Sequence, residues 1–83
     1  MVTRVVAADQ LDAEVDALAA QLAASAPHAL AGIIDTINVG GESGLDVGLE
    51  FETQAFALCC ATADMREGTA AFLERRKAKF SGA

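Results

Sequence analysis

From Asp9 onward the apolar positions recur at helical spacing. Leu11, Val15, Leu18 and Leu22 follow one another at intervals of four, three and four, while Asp12, Glu14, Asp16 and Gln21 stand largely off that stripe. This spacing predicts a helix from Asp9 to about Ala24, with Asp9 and Asp12 in the first turn, where the helix dipole favours carboxylates. Pro27 opens a second helix over 27–39, since its missing N–H costs nothing at that position, and Leu30, Ile33, Ile34 and Ile37 form its apolar face. The run "NVGGESG" at 38–44 is expected to end it, because paired glycines break helical periodicity. Ser43 and Asp46 resemble a capping arrangement for a third helix over 44–61. There Leu45, Leu49, Phe51, Phe56, Leu58 and Cys59 spread over a wide arc, which predicts burial on more than one side. Asp64 and Glu67 form a D-x-x-E start for a last helix, 64–78, with Met65, Phe72 and Leu73 on its inner face. Ahead of all this, "VTRVV" at 2–6 has strand composition, yet nothing else in the chain offers it a partner. The predicted class is mainly α: four consecutive helices after a short N-terminal extended segment.

Composition sharpens that picture. The chain has 83 residues, one domain at most, and a length at which only roughly 60% of the unfolded surface is buried. Alanine supplies much of its hydrophobic fraction of 53%, with four Phe and no Trp or Tyr, so close helix packing or a partner has to supply the remaining stability. A net charge of -6 argues against a nucleic-acid or anionic-membrane partner, because neutralising phosphates needs a basic face. No uninterrupted apolar run approaches the roughly 18 residues of a membrane span, and the first residues lack the pattern of a secretory leader. A soluble, cytoplasmic protein is the expectation. Cys59 and Cys60 are neighbours in an apolar stretch and point about 100° apart on a helix, which suits packing rather than a staple or a metal site.

Candidate chemistry is sparse. Glu50 and Glu52 point to different sides of a helix, and Asp12 and Asp16 sit on an exposed face, so both pairs read as solvated charge. His28, the only histidine, has no partner implied by spacing, and the glycines of "VGGESG" follow a helix rather than a strand. One feature stands out. Of only 6 Lys+Arg set against 12 Asp+Glu, Arg75, Arg76, Lys77 and Lys79 fall together near the end, with Arg66 just ahead. Cations at a helix C-terminus compensate the macrodipole, which is one reading. The other is a site for a phosphorylated ligand, with Phe72 as an aromatic face and Arg75, three residues on, sharing its side of the helix.

Taken in order, "VTRVV", "ASAPHAL" and "SGLDVGLEFETQAFALCCATADMREGTAAFLERRKAKF" resemble the C-terminal part of the enoyl-CoA hydratase (crotonase) family. The most specific piece is "ATADMREGTAAFLERRKAKF", similar to the ending A-T-x-D-x-x-E-G-x-x-A-F-L-x-[KR]-R-K-x-x-F of many such enzymes. Relatives with isomerase, hydrolase or dehydratase activity share it. The resemblance implies that residues 1–7 are the last strand region of a spiral α/β core and that 8–83 form a helical trimerisation region. It implies a parent enzyme that adds water to a 2-enoyl-CoA, with coenzyme A thioester as substrate and no further cofactor. The family's catalytic glutamates and oxyanion-holding N–H groups would lie upstream, so no catalytic residue is assigned here. By this resemblance, Phe72 and Arg75 match positions that in family members help hold the adenine and phosphate end of coenzyme A bound to a neighbouring subunit. The implied partners are the rest of the core, further copies in a trimer or a dimer of trimers, and an acyl-CoA. Arg75 stands where lysine is common, Ala78 where proline is frequent, and Asp35 in a stretch where many relatives carry lysine. The alternative is a stand-alone helical association module without catalysis.

Overall fold

The computed structural model describes residues 2–83. Among them the chain forms a single 3-10 turn, Ala8–Gln10, and four α-helices: α1 Leu11–Ala23, α2 Pro27–Glu42, α3 Leu45–Cys60 and α4 Ala63–Leu73. The four expected helices are all present in the expected order. Pro27 occupies the first position of α2 as its fixed φ favours, and the chain bends by 107° between α1 and α2. Residues 2–6 form no strand, because no other segment among the described residues offers them a ladder. Met1 lies outside the described residues. Arg4 instead pairs with Glu14 of α1, and Val6 lies beside Leu11 and Val15.

The α2–α3 connection departs from the sequence reading. α2 runs through Gly40 and Gly41 to Glu42 instead of stopping near 39. The reason is tertiary: α2 and α3 form an antiparallel hairpin in which a Cβ on Gly48 would come within 3.1 Å of the Gly40 Cα. Here Gly48 lets the two backbones approach, and that contact outweighs the weak helix propensity of Gly40 and Gly41. Ser43 does not cap α3. Its Oγ donates back to the Val39 carbonyl at 2.5 Å, and Gly44 takes the cap position with no side-chain bond.

α4 begins and ends differently from expectation. Its cap is Thr62, whose Oγ1 accepts the Met65 N–H at 3.1 Å, so Asp64 and Glu67 are left free for other partners. It ends at Leu73 rather than near 78. Arg75 adopts φ 55, the Arg76 N–H reaches the Ala71 carbonyl at 3.0 Å, and the Arg75 N–H reaches Phe72 at 3.2 Å. That is the Schellman pattern, in which one left-handed residue satisfies carbonyls the helix end leaves orphaned.

Burial is slight. Among the described residues Ala71, 2% exposed, is the only buried hydrophobic side chain, while Leu45, Leu49, Phe56, Leu58, Phe72 and Leu73 are exposed. The expected burial of α3 on more than one side, and the inner face assigned to Phe72 and Leu73, do not arise within this chain. A compact chain of this length would have a radius of gyration near about 12 Å, whereas this one has 15.8 Å and is only 19 Å thick. Helices this short and this apolar need covering surfaces to hold them. No single helix among the described residues is long and apolar enough to cross a membrane.

Candidate functional site

The cationic cluster lies on the turn after α4 and on a tail, residues 76–83, that folds back along that helix. Two carboxylates on the first turns of α4 hold it. Asp64, only 3% exposed, accepts the Ser81 N–H at 2.7 Å and the Gly82 N–H at 2.9 Å, while its own N–H donates to the Ala83 oxygen at 2.9 Å. Glu67, one turn on, accepts the Lys79 N–H at 2.8 Å and a two-pronged contact from Arg76 at 2.7 and 2.9 Å. Bonds from Arg76 and from the Lys79 amide hold the Glu67 carboxyl down at about 2, and the bonds that Arg76 makes to Glu67 and then to Glu74 push its guanidinium further up. Phe80 closes the strap by packing over Gly68, and Gly82, at φ 79, turns against Pro27.

The two residues expected to contact a ligand are brought together, but not as expected. Arg75 lies beyond the helix, so it shares no helical face with Phe72. Instead its N–H is bonded to the Phe72 carbonyl across the Schellman turn. Phe72 is 81% exposed, and Arg75 is exposed with no side-chain ion pair among the described residues. Arg76 is different: besides Glu67 it donates through Nε to Glu74 at 2.5 Å. Lys77 and Lys79 have exposed side chains.

Beside Phe72 a mainly apolar cavity of about 400 Å³ opens between the start of α2, the end of α3 and one flank of α4, with His28, Met65, Thr69 and Phe80 on its walls. Phe72 gives this cavity a flat aromatic wall, while the exposed Arg75 is tied to Phe72 only through its backbone N–H. Asp12 and Asp16 on α1 and Glu50 and Glu52 on α3 are all exposed, and no group of three metal-ligating side chains gathers among the described residues. Sequence reasoning missed Asp64 and Glu67 as anchors of the tail. Their spacing at the start of a helix was visible, but the backbone donors that use them are 12 to 18 residues away.

Comparison with known proteins gives a consistent result. The family model described as enoyl-CoA hydratase/isomerase matches residues 1–83. The chain belongs to the enoyl-CoA hydratase/isomerase family. It is 36% identical over 80 residues to the crotonyl-CoA hydratase of Syntrophomonas wolfei, covering 96% of this chain and 31% of that protein. It is 35% identical over 72 residues to the short-chain-enoyl-CoA hydratase of Clostridioides difficile, covering 87% of this chain and 46% of that one. A solved enoyl-CoA hydratase subunit from Geobacillus kaustophilus superposes with a TM-score of 0.92 at 40% identity, over 99% of this chain and 32% of its own. The chain thus spans about a third to a half of the length of these relatives.

Proposed function

We propose that these 83 residues are the C-terminal part of an enoyl-CoA hydratase-like enzyme, which adds water across the double bond of a 2-enoyl-CoA to give a 3-hydroxyacyl-CoA. In this reading an upstream α/β core carries the oxyanion-holding N–H groups and the carboxylates that activate water. The present residues supply subunit contacts and a surface for the nucleotide end of coenzyme A. The observation that carries the proposal is the near-complete superposition of this helical chain on one third of a hydratase, with the apolar faces of its helices left uncovered. Those faces suit a core and neighbouring copies in a trimer or a dimer of trimers, in an enzyme that we read as cytoplasmic by its likeness to enoyl-CoA hydratases.

Phe72 and Arg75 are the proposed contacts to adenine and phosphate. Two measurements test the whole reading. The native protein should have about three times the mass of this chain, as the relatives do; a native product of this mass alone would favour the stand-alone association module. In the full-length enzyme Arg75→Ala should raise KM for the CoA thioester, by the equivalent of about 1.5–3 kcal/mol if the contact is shielded. A pantetheine thioester, which lacks the nucleotide, should be little affected. An equal effect on both substrates would reduce the cationic cluster to a dipole-compensating helix end.

A further inference from the structure

The cationic cluster divides into two sets with different work. Arg76 commits its guanidinium to Glu67 at 2.7 and 2.9 Å, to Glu74 at 2.5 Å and to the Lys77 carbonyl at 3.4 Å. Few of its N–H groups remain for anything else. Arg75, Lys77 and Lys79 are exposed and have no side-chain ion pair among the described residues. The alternation along the strap follows the same division: Arg76 meets Glu67, Ala78 is half-buried and Phe80 packs over Gly68, while Lys77 and Lys79 between them stay out. Arg75 itself holds φ 55, a conformation that a side chain with a Cβ adopts only when its surroundings impose it. Arg76, which follows it, is held by its bonds to Glu67, Glu74 and the Lys77 carbonyl.

We propose that Glu67 and Arg76 form a positioning pair: Arg76 is withheld from ligand contact, and its fork onto Glu67 fixes the left-handed turn that presents Arg75 beside Phe72. Glu67 adds to this by anchoring the Lys79 amide, so one carboxylate holds the strap at both ends of its cationic stretch. The inference rests on the reading that Phe72 and Arg75 meet the nucleotide end of coenzyme A.

The test compares CoA and pantetheine thioesters in the full-length enzyme with Glu67→Gln, Arg76→Ala, the double variant and Arg75→Ala. Each single change at 67 or 76 should raise KM for the CoA thioester about five- to tenfold, the size of one weakened charge-assisted contact. Turnover and the pantetheine thioester should be unaffected, and the double variant should be no worse than either single one. A lower KM in Glu67→Gln together with a higher one in Arg76→Ala would make Arg76 a ligand-binding cation and overturn the proposal. Equal losses on both substrates from the changes at 67 and 76 would show only a weakened fold, and would overturn it too. No change from Glu67→Gln or Arg76→Ala while Arg75→Ala remains selective would overturn the pair alone. Loss of selectivity in Arg75→Ala would remove the coenzyme reading and the pair with it.

Discussion

Asp64 and Ser81 are 17 residues apart, yet the Asp64 carboxylate accepts the Ser81 N–H at 2.7 Å and its hydroxyl at 3.3 Å. A side chain near the start of α4 thereby fixes the end of the strap that leaves the same helix. Asp64→Asn replaces one acceptor oxygen with an NH₂ that would face the Gly82 donor. The change should release the strap and cost about 1.5–3 kcal/mol, the range of hydrogen bonds to a charged group. Amide hydrogen exchange at Ser81 and Gly82 reads this directly; unchanged protection would show that the strap is held by Phe80 and Glu67 without it.

Glu67 makes the strap sensitive to acid. Folding lowers its carboxyl from the ordinary 4.5 to about 2, chiefly through Arg76 and then the Lys79 amide, with the Lys79 ammonium adding a smaller pull. The docked state therefore binds fewer protons than the released one between those values. The contribution is complete above about pH 4.5 and is lost as pH falls towards about 2. Glu74, at the C-cap of α4, also accepts from the Arg76 Nε at 2.5 Å. Following the Lys79 amide signal from about pH 6 downward should show release within that window, and Glu67→Gln should remove the share of the pH dependence that Glu67 carries.

Two glycines in the hairpin should answer oppositely to the same substitution. A Cβ on Gly48 meets the Gly40 backbone at 3.1 Å, whereas a Cβ on Gly40 meets nothing within 4 Å. Gly40→Ala should gain about 0.5–1 kcal/mol from helix propensity. Gly48→Ala has the same gain but must push the α2 and α3 backbones apart, at a cost of about 1–3 kcal/mol, and should be the less stable variant. Urea unfolding followed by helical circular dichroism ranks them.

Phe72 separates ligand contact from packing. Because it is 81% exposed, Phe72→Ala should change the stability of this chain by no more than about 0.5 kcal/mol. In the full-length enzyme the same change should raise KM for the CoA thioester by removing a stacking face. A large fall in melting temperature of the isolated chain would mean that the ring is packed after all.

The sequence by itself determined the helices: apolar spacing, the Pro27 start and the dearth of strand-forming runs are local properties, and they placed α1, α2, α3 and α4 in order. The family resemblance was equally legible, because the ending "ATADMREGTAAFLERRKAKF" keeps its residue types at fixed spacing. What only the tertiary structure decided was where those local preferences yield. Gly40 and Gly41 stay helical because Gly48 approaches from α3, and Arg75 leaves the helix because a Schellman turn and the Glu67–Arg76 fork hold the chain beyond it. Asp64 looked like a helix-start carboxylate and became the anchor of a tail, since the donors it serves are distant in sequence and meet it only when the chain folds back. Periodicity reports which face of a helix is apolar. It cannot report what covers that face, because burial depends on surfaces that segments distant in sequence, or other chains, bring to it.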